Sequence, residues 1–233
     1  MAGAAEGLLL IDKPSGVTSH DVVDACRRVY GERSIGHLGT LDPFATGLLV
    51  LLFGKATRLA TFIGADPKVY EATVQFGAET DTDDGTGTPT RSGPVPPADA
   101  IRAALPAFTG EIQQVPPAYS AKHVAGHGGR AYAAARRGHP ADLPPSRVVV
   151  YNWDIRAVHD SVAEFTVTCG TGTYIRALAR DLGRAVGSAA HLTALRRTRV
   201  GTFDIGESHT LPEIAGPASP PAIRHLRVVA DDA

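Results

Sequence analysis

Residues 36–49, with the sequence GHLGTLDPFATGLL, constrain this chain more than any other stretch. Up to residue 47 the segment is too rich in Gly, Pro and Thr for regular structure, whereas the apolar run over 48–53 predicts a buried strand. The segment contains one carboxylate, Asp42. Since a short loop against a core strand is where a scaffold presents a catalytic group, Asp42 is a candidate for catalysis. An ordinary Asp-Pro turn is the alternative.

The composition predicts one globular catalytic domain. The 233 residues, 43% hydrophobic and 20% charged, can bury a sizeable core. No run approaches the roughly 18 apolar residues that span a membrane, and the amino terminus lacks the basic segment of a signal peptide. The two cysteines, Cys26 and Cys169, provide neither a metal spacing nor a disulfide framework. We therefore expect a cytoplasmic protein without a metal.

The charges are unevenly distributed along the chain. The formal net charge is -1, whereas dedicated nucleic-acid binders are usually basic. Residues 66–84 hold six carboxylates against one lysine, and residues 174–200 hold six arginines against one aspartate. This asymmetry is compatible with a basic face for phosphates on an otherwise acidic body. Scattered, solvated arginines are the alternative.

The spacing of apolar residues predicts an α+β fold, because strands and helices occur without regular βαβ alternation. Strands are expected over 7–12, 48–53, 68–76, 147–159 and 162–169. Helices are expected from Ser19, as the N-cap, to Gly31, and over 55–63, 98–107 and 174–186. The last helix would bury Ile175, Leu178, Leu182 and Ala185 and carry three arginines along one exposed stripe, Arg176, Arg180 and Arg184.

The segments rich in Gly and Pro are predicted to be irregular. Residues 77–97 are expected to form a long surface turn region. Residues 115–147 are expected to form a basic, flexible insertion, in which Lys122, Arg130 and Arg147 are available to phosphates. The catalytic domain would then span residues 1–211, and residues 212–233 would form a short carboxy-terminal tail.

Four further motifs occur along the chain: KPSGVTS at 13–19, KVYE at 68–71, DTD at 81–83, and GTGTYIR at 170–176 followed by DLG at 181–183. Together with residues 36–49 they resemble the motifs of the TruB-type pseudouridine synthases, in the same order, from about residue 7 to about residue 211. Asp42 corresponds to the single essential aspartate of that family. The resemblance implies the pseudouridine synthase fold, a large bent mixed sheet that is largely antiparallel and flanked by helices.

The resemblance also implies an enzyme that isomerises uridine to pseudouridine in RNA, with uridine 55 in the T arm of tRNA as the expected target. The reaction breaks the N1–C1′ bond, turns the base and rejoins it through C5, so it needs neither a cofactor nor a metal. The sequence agrees, because it contains no Walker loop, dinucleotide fingerprint or zinc pattern. The target uridine must first be extruded from its stack. We expect a monomer that binds the T-arm stem-loop of tRNA.

Three catalytic residues follow from the resemblance: Asp42, Arg176 and Tyr70. A paired guanidinium keeps a buried carboxylate ionised, and Arg176 is expected to do this for Asp42. Asp42 could act as a nucleophile, as a base toward the C2′ proton or as electrostatic support. Tyr70 is expected to stack on the flipped base and to help remove the C5 proton. The alternatives are a phosphate-facing surface position for Arg176 and a core position for Tyr70.

Further substrate contacts follow from the same resemblance at His37, Tyr174, Leu195 and Lys13, and from the basic composition of the insertion at Lys122 and Arg130. Packing alone would also explain Leu195. Lys13 fits a structural or phosphate contact better than a catalytic role.

Two departures from the family's pattern leave other functions open. His123 occupies the usual lysine position of Ser-Ala-x-Lys-x-x-Gly, with two extra residues around 128–129. The residues after 211 are also too few for the PUA-like domain that bacterial TruB-type proteins usually carry, so this sequence is expected to cover the catalytic domain without it. The alternatives are a synthase with another RNA target or a role in secondary metabolism, and a non-catalytic tRNA-binding or tRNA-folding protein. A glycosidase-like hydrolase would need a second carboxylate, for which there is no motif-level candidate.

Overall fold

The computed structural model describes residues 6–120, 143–216 and 219–225, together with the backbone of 123–124 and 129–130. Its strands are β1 (Gly7–Lys13), β2 (Ile35–His37), β3 (Thr46–Phe53), β4 (Lys68–Phe76), β5 (Ala78–Thr80), β6 (Pro89–Ser92), β7 (Gly110–Gln114), β8 (His123–Val124), β9 (Gly129–Arg130), β10 (Ser146–His159), β11 (Val162–Cys169), β12 (Ala190–Val200), β13 (Phe203–Asp204) and β14 (His209–Thr210). Its α-helices are α1 (Ser19–Tyr30), α2 (Ala98–Ala104), α3 (Ile175–Ala185) and α4 (Leu211–Ala215). Short 3-10 helices occur at Gly54–Leu59, Leu105–Phe108 and Ile205–Glu207.

The chain divides into two compact units, and β4 and β12 each contribute residues to both. The first unit comprises Met1–Lys68 and Arg196–Ala233, and the second comprises Val69–Leu195. Both units combine helices with strands, and most of the described strand pairs are antiparallel. The predicted α+β class with mixed, largely antiparallel pairing is therefore confirmed.

In the first unit the strand order is β14-β1-β3-β12, with β2 also paired to β3 and β13 to β12. β1 and β3 are antiparallel from Gly7, opposite Phe53, to Lys13, opposite Gly47. Every residue of β3 after Thr46 is buried, as expected for a continuous apolar run. Its two faces pack against two core clusters: Leu49, Leu51 and Phe53 against Val22, Val23 and Cys26 of α1, and Leu48, Val50 and Leu52 against Val200.

Thr18, rather than the predicted Ser19, caps the amino end of α1. The Thr18 side chain accepts from the Asp21 N–H, and the Asp21 carboxylate accepts from the Thr18 N–H at 2.7 Å, which forms a capping box. Ser19 is buried, and its hydroxyl donates to Leu41 O at 3.1 Å and accepts from the Leu41 N–H at 2.9 Å. Because the Ser19 hydroxyl bonds to Leu41 in the Asp42 loop, it does not cap the helix. Gly31 ends the helix as predicted, with a φ of 66°.

In the second unit the strand order is β12-β4-β11-β10-β7. The alternation predicted for β4 is confirmed, because Tyr70 and every second residue after it to Phe76 are buried while the intervening residues are partly exposed. β10 and β11 pair antiparallel, and the Trp153 and Phe165 rings on them pack edge to face with centroids 5.3 Å apart. Helix α3 buries the predicted apolar residues except Ala185, which is exposed.

Two segments predicted to be irregular contain packed structure. The 77–97 region includes the β5–β6 hairpin and buries Glu79. The 212–233 segment includes most of α4, and Ile214 packs into the core of the first unit. Farther along the same segment, Arg224 forms a β-bridge with Leu8, and Pro221 O accepts a hydrogen bond from the Tyr30 hydroxyl at 2.9 Å. These contacts join residues far apart in sequence, which local composition does not reveal.

Candidate active site

Asp42 lies in the loop that joins β2 to β3 in the first unit. Before Asp42, the Leu38 N–H donates to Val50 O at 3.0 Å, and after it the Ala45 N–H donates to Asp42 O at 3.1 Å. Gly47, at the end of the loop, has a φ of 102°, and a Cβ there would overlap the main-chain oxygen of Arg197. Glycine is therefore required at position 47, and the loop lies tightly against β12.

Lys13 anchors this loop from within the core. Its fully buried ammonium donates to three main-chain oxygens, Pro14 O at 3.0 Å, Val17 O at 2.8 Å and Pro43 O at 3.3 Å. Burial lowers the pKa of Lys13 to about 8, although the Asp42 carboxylate acts in the opposite direction. The three ammonium donors are thus all used inside the protein. Of the two roles expected for Lys13, the structural contact fits this geometry and the phosphate contact does not.

Two further buried cations lie beside the same loop: Lys68, which opens the KVYE motif, and Arg197, which no motif singled out. Arg197 donates from Nε to Leu48 O at 2.8 Å and from Nη2 to Gly39 O at 3.0 Å. A Cβ on Gly39 would lie 3.3 Å from Nη1 of Arg197 and 3.4 Å from Nζ of Lys68. Buried cations this close to Gly39 give the loop a positive local potential.

Arg176, near the start of α3 in the second unit, is buried, with 4% of its side chain accessible. Its Nη1 donates to Thr82 O at 2.7 Å, and its Nη2 donates to Tyr119 O at 2.8 Å. Nη1 also lies 3.8 Å from Oδ2 of Asp84. The planar guanidinium is therefore fixed in orientation, and the surface alternative for Arg176 is wrong.

The acidic turn that follows β5 contains Asp84 and accepts a hydrogen bond from Arg176. Oδ1 of Asp84 accepts from the Thr82 hydroxyl at 2.8 Å and from the Thr86 N–H at 3.0 Å. Thr82 therefore bonds to the arginine with its carbonyl and to the aspartate with its hydroxyl. This gives the DTD motif at 81–83 a structural explanation, since its turn positions the groups around Arg176.

The exposed arginine stripe predicted for α3 is wrong for Arg176 and Arg180, which are buried, whereas Arg184 is half exposed. Arg180 is buried, and its Nη1 donates to Asp83 Oδ2 at 2.9 Å while its Nη2 donates to Val115 O at 2.8 Å. Burial raises the pKa of Asp83 to about 6, although Arg180 opposes this rise. Arg184 pairs with the buried Glu79, with 2.6 Å between Nη2 and Oε2. Carboxylates of 66–84 thus neutralise arginines of 174–200.

The arginines on β12 are also engaged. Arg196 pairs with Asp12 at 2.7 Å, and Arg199 lies 3.7 Å from Asp204. Carboxylates thus pair with several arginines of 174–200, so these arginines support the basic face less than the charge asymmetry alone suggested. In the insertion, Arg147 pairs with Glu111 at 2.9 Å.

The other residues predicted to contact the substrate differ in how deeply they are buried. Tyr70 and Leu195 are buried on β4 and β12 of the second unit, and His37 is partly buried on β2 of the first. The Tyr174 N–H donates to Oε1 of Gln114 at 2.8 Å, and Nε2 of Gln114 donates back to Tyr174 O at 3.1 Å. Gln114 is a buried amide at a strand end that the motifs did not indicate.

Lys122 lies outside the described residues, and only the backbone of Arg130 and His123 is described. Within the described part of the chain, no group of three or more His, Cys, Asp or Glu side chains could hold a metal. In the same part, no helix is long and apolar enough to cross a bilayer.

Comparison with solved structures finds similar chains, including two from multicomponent assemblies. The chain superposes on a crystal structure of a Cbf5-Nop10-Gar1 complex with a TM-score of 0.69 and 30% identity, over 90% of this chain and 53% of the other. It superposes on the structure of an H/ACA RNP bound to a substrate RNA containing 2'-deoxyuridine with a TM-score of 0.66 and 28% identity, over 90% and 52%. This chain thus spans about half the length of those chains. Together with the Asp42 loop, these matches identify the fold as that of the pseudouridine synthases.

Sequence comparison then identifies the family. The model described as TruB family pseudouridylate synthase (N terminal domain) matches residues 27–175, and the tRNA pseudouridylate synthase B C-terminal domain matches residues 176–218. Relatives named tRNA pseudouridine synthase B include those of Arthrobacter sp., 49% identical over 90% of this chain and 70% of the relative, and of Thermobifida fusca, 47% identical over 91% and 75%. The chain belongs to the TruB family of pseudouridylate synthases. The predicted family and fold are confirmed.

Proposed function

We propose that this chain isomerises uridine to pseudouridine in tRNA, with uridine 55 of the T arm as its target and Asp42 as its essential carboxylate. The observation that carries the proposal is the Asp42 loop itself. The loop has the family's motif, and buried contacts from Lys13, Ser19 and Arg197 hold its main chain. An ordinary surface turn needs no such support, whereas a carboxylate that must meet C1′ or C2′ of a ribose does.

Arg176 and Tyr70 are proposed as the other catalytic residues. The guanidinium of Arg176 is held by the carbonyls of Thr82 and Tyr119 and lies near the Asp84 carboxylate. A fixed, planar cation of this kind suits the pairing with a catalytic carboxylate that we propose for Arg176 and Asp42. Tyr70 would stack on the extruded base and relay its C5 proton.

Binding of tRNA must draw on cations other than the paired arginines of α3. We propose that Lys122 and Arg130, with the neighbouring Arg136 and Arg137, contact the phosphates of the T arm. His37, Tyr174 and Leu195 are proposed as contacts to the extruded nucleotide. A monomeric state and a cytoplasmic location stay predictions.

The test is incubation of the purified chain with a uridine-labelled tRNA transcript, followed by mapping of pseudouridine at single-nucleotide resolution. We expect one product, at position 55, and none with Asp42→Asn. Asp24→Asn is the matched control, because Asp24 is a half-exposed aspartate on α1 that pairs with Arg27 at 2.9 Å. Pseudouridine at another position would correct the target. Tight tRNA binding without any pseudouridine would contradict the enzymatic proposal and indicate a binding protein.

A further inference from the structure

Arg197 is among the largest fully buried side chains of the protein, with 1% of its surface accessible. Its guanidinium bonds to two carbonyls that lie on opposite sides of Asp42 in the sequence. Gly39, before Asp42, accepts from Nη2 at 3.0 Å, and Leu48, after Asp42, accepts from Nε at 2.8 Å. One side chain therefore ties together the two ends of the Asp42 loop.

The main chain of Arg197 contacts the same loop. β12 runs parallel to β3 here, with Arg197 opposite Gly47. Both loop glycines that contact Arg197 have positive φ, 89° at Gly39 and 102° at Gly47. A Cβ at Gly39 would press on the guanidinium, and one at Gly47 would overlap the Arg197 backbone. The loop is thus shaped to fit around this one residue.

The charge of Arg197 also reaches the loop. Both of its carbonyl partners are neutral, so these two bonds use two of its five N–H donors without cancelling its charge. Lys13 responds to this field, because Arg197 lowers the pKa of the Lys13 ammonium while the Asp42 carboxylate raises it. Burying a guanidinium carries a desolvation cost that a neutral side chain at position 197 would avoid.

We propose that Arg197 is a positioning residue for catalysis: its guanidinium ties Gly39 to Leu48 and so holds the Asp42 loop, and with it the Asp42 carboxylate, in place. This rests on the proposed function of Asp42. Arg197 acts through the loop, so its loss should slow the chemical step while leaving tRNA affinity nearly unchanged. A 1 Å displacement of a catalytic group can cost about 100-fold in rate.

The experiment compares Arg197→Met, Arg197→Lys and the control Arg199→Met by single-turnover pseudouridine formation and by tRNA binding. Methionine removes both carbonyl bonds and the charge, and lysine keeps the charge but cannot span both carbonyls. Arg199 lies on the same strand, is half exposed and lies 3.7 Å from Asp204. We expect the rate to fall about 100-fold in Arg197→Met and about tenfold in Arg197→Lys. The Kd for tRNA should change less than about threefold in both, and Arg199→Met should match the wild type.

Two results would overturn the proposal: a folded Arg197→Met whose rate stays within about threefold of the wild type, or a rate loss that is matched by an equal loss of tRNA affinity. If Arg197→Met does not fold, Arg197→Lys decides, since wild-type turnover in that variant would show that the paired carbonyl bonds are not needed. If both the wild type and Arg199→Met are inactive, the result contradicts the proposed function itself, and it can be told apart from a failure of the Arg197 proposal.

Discussion

Lys13→Met preserves the length of the side chain and removes the ammonium that anchors the Asp42 loop. Of the three carbonyls that lose a donor, Pro43 O keeps another, the Gly16 N–H at 2.8 Å. The other two, Pro14 O and Val17 O, would cost about 1–3 kcal/mol each if they stay buried and unbonded. Methionine also removes a desolvated charge, since a native pKa of about 8 against about 10.4 in the unfolded chain corresponds to about 3 kcal/mol. The net loss of stability at pH 7 should therefore not exceed about 3 kcal/mol.

The difference between wild type and Lys13→Met should depend on pH. The native pKa of Lys13 lies below its unfolded value, so between these values the unfolded chain binds more protons than the native protein. Wild-type stability should therefore gain about 2 kcal/mol from this group between pH 7.5 and pH 9.5. Lys13→Met lacks this gain, so the stability gap between the two proteins should widen by that amount as the pH rises.

Urea unfolding at several pH values, together with single-turnover kinetics, measures both effects. Lys55→Met is the control, because the Lys55 side chain is 80% exposed and its removal should change neither stability nor rate. We expect Lys13→Met to slow turnover far more than it weakens tRNA binding, because Pro43 directly follows Asp42. A stability gap that does not change with pH, or turnover at the wild-type rate, would refute the reasoning that a desolvated ammonium holds this loop.

Three other predictions concern the proposed site. Asp42→Asn should lower turnover by several orders of magnitude in the pseudouridine assay while changing tRNA affinity by less than about tenfold, or about 1.4 kcal/mol, and retained turnover would contradict the assignment. Arg176→Lys keeps the charge but cannot bond to both Thr82 O and Tyr119 O, so catalysis should be clearly impaired with near-normal unfolding; equal activity would show that the planar fork is not used. Neutralising Lys122 or Arg130 should reduce the slope of log affinity against log salt by roughly 0.7–0.9 each, whereas Arg184→Gln, which breaks the pair with Glu79, should leave that slope unchanged and lower stability instead.

The sequence alone was sufficient for the features that repeat over short distances or match a motif. The alternation in β4 and the continuous apolar run of β3 report which faces are buried, and the structure has both strands where they were predicted. The fold class and the family followed from five motifs in order. Each of these signals is local, because a strand or a helix shows its buried face through the spacing of its own residues.

The pairing of charges was decided only by the tertiary structure. Arg180 and Arg184 have the spacing of an exposed helical stripe, but their partners Asp83 and Glu79 lie far away in the chain. Helical spacing shows that two residues share a face and cannot show what that face packs against. The same holds for Arg197 on β12, whose hydrogen bonds are accepted by Gly39 and Leu48, far away in the sequence. A local sequence pattern shows which residues are polar. Only the folded chain determines whether a polar side chain finds a buried hydrogen-bond or ion-pair partner.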